Sequence, residues 1–277
     1  VIVYLVKCTT WITVVILGGC TAVLAAFGTF FRWLQDQVCF EADTGLAVRG
    51  SIWPYAVALM IVIAAVVLAV VCFRMKNQPH TYFPDSLPAA LAASPRVRTI
   101  GGIVLGALLA VGGLWLLLGS GTLASPGLQR VLAVLAIAAG AAFARQMLAP
   151  GDAETASGAV VCASMPIVLL AFWLIVSYKV NIINPTVSAY AVEILALCAA
   201  LIASYEFAGF AYGRPKAIKS IFWSQFAAFL CITALPDDRA GGQQLMLAAI
   251  AGILLFQSYL TASNIRPAVS GPVGGAQ

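Results

Sequence analysis

The stretch from Tyr55 to Val71, YAVALMIVIAAVVLAVV, contains no charged or amide side chain. A run of that kind leaves few folds open. About 20 apolar residues, at 1.5 Å of rise each, carry an α-helix across the hydrocarbon core of a bilayer. The other architecture that satisfies its backbone in lipid is a closed β-barrel. Barrel strands span about ten residues and alternate apolar with polar side chains. The continuous run excludes that pattern.

Eight runs of this type follow one another, at about residues 8–31, 52–73, 100–118, 128–148, 158–178, 187–210, 218–235 and 245–261. The third and fourth are divided only by a Gly/Ser/Pro stretch, Gly119 to Gly127. A single helix over both would be far too long, so a tight hairpin is expected there. Of the 277 residues 62% are hydrophobic and 9% charged, against about 25% charged in a soluble domain. The reading is an all-α polytopic transmembrane bundle of about eight spans. It forms one membrane domain over 1–266, with a disordered cytoplasmic tail at 267–277. Lys7 ahead of the first run resembles a signal-peptide n-region, but the run exceeds the usual 7–15 apolar residues. It is read as a retained first helix.

Lys and Arg counts in the loops set the orientation. With the N-terminus inside, ten of the fifteen basic residues fall on the inner side, and Arg32, Arg49, Arg130, Lys179 and Arg239 fall outside. Both termini are therefore placed in the cytoplasm of a plasma (inner) membrane. The net charge of +5 sits between apolar runs and reads as contact with lipid headgroups, not nucleic acid. The outer loop from Phe31 to Ser51 is amphipathic enough for a short interfacial helix. The inner loop from Lys76 to Pro95 carries Pro79, Pro84, Pro88 and Pro95, which leave room for one or two helical turns in SLPAALAAS. Of the seven cysteines, only Cys39 falls in a polar loop, and no disulfide framework or metal site is expected.

Two pairs of runs look alike. YAVALMIVIAAVVLAVV from Tyr55 matches YAVEILALCAALIASYE from Tyr190, and QRVLAVLAIAAG from Gln129 matches QQLMLAAIAGIL from Gln243. This fits a 4+4 parallel duplication about an axis normal to the membrane.

An ionisable side chain inside a span is costly and raises a functional hypothesis by default. Glu193 is the one acid clearly inside a run, and Tyr190 shares its helical face. A proton or cation site facing a cavity is one reading. A buried carboxyl bonded to another helix, or hydrated in a vestibule, is the other. At the far end of the same run, SYEFAGFAYGRPKAIKS places Glu206 ahead of Arg214, Lys216 and Lys219. That segment reads as a basic cradle for an anionic headgroup or a soluble partner, or as an ordinary positive-inside loop. Gly209 and Gly213 suggest a close-packing face, with Gly213 ending the helix. Gly102 and Gly106 suggest another. Ser224 and Gln225 in the seventh run, with Gln257 and Ser258 in the eighth, offer interhelical hydrogen bonds.

Enzyme signatures are missing from the sequence. His80 is the only histidine and lies in a loop, which disfavours a His-ligated haem in the bundle. There is no H-E-x-x-H, no G-x-S-x-G and no Walker A loop. All five lysines lie at span ends or in loops, not where a Schiff base would form. No cofactor is expected. The function classes that stay open are a transporter or permease-like protein for a small solute or ion, and a non-catalytic membrane subunit, scaffold or sensor. A lipid-modifying enzyme is the least supported.

Overall fold

The computed structural model describes residues 2–40, 48, 50–77, 81–119, 125–149, 156–182 and 186–267, with side chains for 14–40, 48, 50–77, 82–119, 125–149, 158–182 and 186–265. The elements in chain order are α1 (Ile2–Val38), α2 (Trp53–Lys76), β1 (Thr81–Tyr82), α3 (Leu87–Ala90), α4 (Pro95–Leu118), α5 (Pro126–Leu148), α6 (Ala156–Asn181), α7 (Val187–Ala208), α8 (Ala217–Thr233), α9 (Gly241–Ser263) and β2 (Arg266–Pro267). Seven of the helices are long and apolar enough to cross a membrane. The protein is a polytopic helical membrane bundle.

The lipid faces are visible on α2. Tyr55, Leu59, Val62, Val66, Val70 and Phe73 recur at helical spacing and are all exposed, while Val57, Met60, Ala64, Leu68, Cys72 and Met75 are buried. Both faces are apolar. Water would make the outer stripe prohibitively costly; a bilayer solvates it.

The expected seventh span, 218–235, is the exception in length. Its helix, α8, has 17 residues. It packs against α7, α9, α1 and α2 and is the interior helix of the bundle. Its Gln225 meets mid-α1 and the last third of α9, accepting from Thr21 Oγ1 at 2.7 Å and donating to Ser258 Oγ at 2.9 Å. Its last residue, Thr233, lies against Gly28, where a Cβ would come within 2.5 Å of Thr233 Oγ1.

Glycine governs the packing of α4. An added Cβ would meet Met147 at Gly102, the Gly140 carbonyl at Gly106 and the Ala133 carbonyl at Gly113. Those contacts all lie on α5. On another side of α4, Gly112 faces Met246 and the Gly242 carbonyl of α9. Small residues let helix backbones approach where lipid supplies no hydrophobic drive to association, and the expected Gly102/Gly106 face is such a surface.

Three expectations need correction. α1 runs seven residues beyond Phe31, so 31–38 is the end of that helix and not a separate interfacial one; the rest of the expected loop helix, at 41–47 and 49, lies outside the described residues. Cys39 follows α1 in the connection, as expected, and is buried there with Sγ 2.8 Å from Ser51 Oγ. Gly209 and Gly213 form no helix-packing face. α7 stops at Ala208, Gly209 faces the Arg214 carbonyl of its own turn, and Gly213 has φ +68 in open space. Glycine suits that left-handed turn. The 4+4 symmetry is not followed by the packing: α4 packs extensively on α9, without the equivalent extensive α5–α8 interface. Helices apolar all round resemble one another by composition alone.

The described part of the proline-rich segment between α2 and α4 is tied down. α3 is one turn, β1 pairs with β2 as Thr81↔Pro267 and Tyr82↔Arg266, and Asn264 Nδ2 donates to the Ala90 carbonyl at 2.9 Å. The tail beyond Pro267 lies outside the described residues.

Candidate functional site

At the end of the bundle where α1 finishes and α7 begins, five charged side chains alternate in sign. Arg32, on the last turns of α1, points inward because its neighbours Phe30 and Trp33 face lipid at about half exposure while Arg32 itself is 1% exposed. Its Nε donates to Asp237 Oδ1 at 2.6 Å. Its Nη1 donates to Gln35 Oε1 and to the Ser188 carbonyl, both at 2.9 Å, and its Nη2 donates to the Ala189 carbonyl at 2.5 Å. Asp36, one turn on, lies 3.7 Å from Nη2.

Asp237 sits in the turn between α8 and α9. Its second oxygen accepts from Arg239 Nη2 at 2.6 Å. Arg239 also donates from Nη1 to the Ala234 carbonyl at 2.9 Å, which folds the turn onto the end of α8. Its Nε lies 3.2 Å from Glu193 Oε2 on α7. The order is thus Asp36, Arg32, Asp237, Arg239, Glu193, a chain of opposite charges linking α1, α7 and the α8–α9 turn. Each internal member has a partner on both sides. Pairing of this kind makes burial of ionised groups tolerable in a low-dielectric interior.

The chain borders a cavity of about 750 Å³, within the range of about 300–1,000 Å³ typical of small-molecule sites. Tyr190, Asn181, Ser177, Asp238 and Gln243 complete its polar lining. The acids Asp36, Glu193, Asp237 and Asp238 outnumber Arg32 and Arg239 among the lining residues, so the cavity carries negative formal charge. The Oδ2 atom of Asp36 is buried and has no hydrogen-bond partner. Arg32 has committed its donors to fixed partners and serves as the clasp. Glu193 and Arg239 form the looser pair, 3.2 Å apart.

Of the residues singled out in sequence, Glu193 and Tyr190 meet in this cavity. Glu206 does not. It lies thirteen residues further along α7, about 20 Å along the axis, is partly exposed, and enters none of the ion pairs between described residues. Arg214, Lys216 and Lys219 are exposed at the same far end, without a contact to Glu206 that would make a cradle. Arg32, Asp36 and Arg239 fall in loops by sequence, and nothing there singles out Asp237. The i, i+4 spacing of Arg32 and Asp36 at the end of an apolar run was the one local signal. Among the described residues no group of three His, Cys, Asp or Glu side chains converges to hold a metal ion.

Comparison of the chain with protein-family models, with curated proteins and with solved structures gives no significant match. The fold and the site define a class, a polytopic membrane protein with a charged cavity at one end.

Proposed function

We propose that the chain is a transporter or permease-like protein for a small solute or ion, and that the cavity around Glu193 is its binding site. The observation that carries this reading is a buried carboxylate on the wall of a 750 Å³ polar cavity within a membrane bundle. Acid-rich lining favours a cationic solute, which Glu193 and Asp36 would meet with their carboxylates. A cation arriving at Glu193 competes with Arg239, so binding and release of that ion pair are coupled.

The cavity end is the outer one in this reading. Arg32 and Arg239 are neutralised by Asp237 and Glu193, so they do not act as free loop cations. Discounting them sharpens the positive-inside bias. Both termini then lie in the cytoplasm of a plasma (inner) membrane.

Uptake of small inorganic and organic cations into proteoliposomes tests the proposal. Transport that disappears in Glu193→Gln supports it; transport retained in that variant removes Glu193 from the path.

A second reading, a non-catalytic subunit or scaffold, draws on the exposed Arg214, Lys216 and Lys219 at the opposite end, which could dock anionic lipid or an acidic soluble partner. Purification in mild detergent as a lone monomer, with no associated protein, counts against the partner form of it.

A further inference from the structure

A second cavity lies between α5 and α6 at the end of the bundle opposite Glu193. It has a volume of about 120 Å³ and is lined by Leu87, Arg145, Gln146, Gly158, Ala159 and Cys162, with Ala149 at its edge. Its polar side chains are Arg145, Gln146 and Cys162. Gln146 is 4% exposed, and its Nε2 is buried without a hydrogen-bond partner. A buried amide nitrogen left unpaired costs the full desolvation of the group, so an acceptor supplied from outside the chain would relieve it. Gly158 lies in the first turn of α6, a helix of 26 residues, and Ala159 follows it. The first-turn N–H groups of a helix have no partner within it and carry the positive end of its dipole. Arg145, in the last turn of α5, adds a guanidinium at the exposed rim. The opposing negative end of α5 is offset, because Arg98 Nε donates to the Met147 carbonyl at 2.8 Å.

We infer that this cleft binds a phosphoryl group, held by Gln146 Nε2, the start of α6 and the Arg145 guanidinium. Helix N-termini with an adjacent arginine suit tetrahedral oxyanions. The cleft has room for one, since a single water takes about 30 Å³ in the liquid. The group can arrive as the headgroup of an anionic phospholipid or as a free phosphate, and its place between helix ends at the membrane boundary favours the lipid.

The test uses the full chain in nanodiscs of phosphatidylcholine with and without phosphatidylglycerol, and in neutral detergent with inorganic phosphate. Lipid retained through purification is read by native mass spectrometry, and melting temperature is followed in parallel. Phosphatidylglycerol is expected to be retained selectively. Arg145→Gln and the near-isosteric Gln146→Glu should each lower retention about fivefold, the equivalent of one interfacial basic residue. Lys76→Gln, an exposed cation at the same end, should leave retention unchanged. A melting shift with inorganic phosphate, lost in the same two variants and without preference for phosphatidylglycerol, identifies a soluble anion as the source. Equal binding in wild type and Arg145→Gln overturns the inference, and so does an equal loss in Lys76→Gln. Arg145 is exposed, so its variant decides the matter even where Gln146→Glu fails to fold.

Discussion

Arg32 Nε and Asp237 Oδ1 stand 2.6 Å apart, although 205 positions separate the two residues in the chain. The pair joins the end of the first long helix to the turn before the last one. It holds α1 and the α8–α9 hairpin in one register, and it shapes the wall on which Glu193 and Arg239 meet.

Removing one member of that pair strands the other in a buried site. Asp237→Asn and Arg32→Ala should each destabilise the protein by about 3–5 kcal/mol, measured as loss of folded protein on thermal or SDS titration in detergent micelles. The double variant Arg32→Met with Asp237→Leu should recover part of the loss, because Arg239 keeps Glu193 as its partner while Asp36 loses Arg32. An additive double variant would contradict a direct pairing.

The α4–α5 seam should be intolerant of bulk. Gly106→Ala places a methyl group within 2.5 Å of the Gly140 carbonyl, a backbone atom that cannot rotate away. A loss of about 1–3 kcal/mol is expected. Gly18→Ala on the exposed face of α1 has nothing within 4 Å and should be neutral or slightly stabilising, as Ala is the better helix former. Thermal unfolding of the two variants side by side checks the contrast.

Gln225 bridges three helices in the dry middle of the bundle. Gln225→Leu removes two interhelical bonds, each worth about 0.6 kcal/mol in membrane proteins, so a loss of about 1 kcal/mol is expected. Ser258→Ala should cost about half of that. A Gln225→Leu protein as stable as the wild type would show that these bonds contribute nothing net.

The helices themselves were legible in sequence because one signal, apolar run length, is local and strong. The span from 52 to 73 and the helix Trp53–Lys76 differ by little, and the Gly102/Gly106 face could be read from spacing. What could not be read was everything set by distant partners. The first run was ended at Phe31 because Arg32 is charged, yet the helix continues to Val38 since Asp237 neutralises that arginine. Asp237 could not be singled out, because nothing near it in sequence pairs with it except Arg239. Glu193 stood out through its own cost of burial, but its partner did not. The Gly209/Gly213 pattern misled because spacing alone does not distinguish a packed helix face from a turn that needs a positive φ.

The central claim is that Glu193 faces a solvent-filled cavity open to one side of the membrane. Glu193→Cys, in a chain whose seven native cysteines are replaced by alanine, can be treated with a membrane-impermeant thiol reagent from each side in turn. The account predicts rapid labelling from the side of the α1–α2 and α6–α7 connections, none from the side of Arg214 and Lys219, and slowing of the reaction by small cations. A folded protein that resists labelling from both sides would place Glu193 in a dry ion-pair clasp and contradict the binding site.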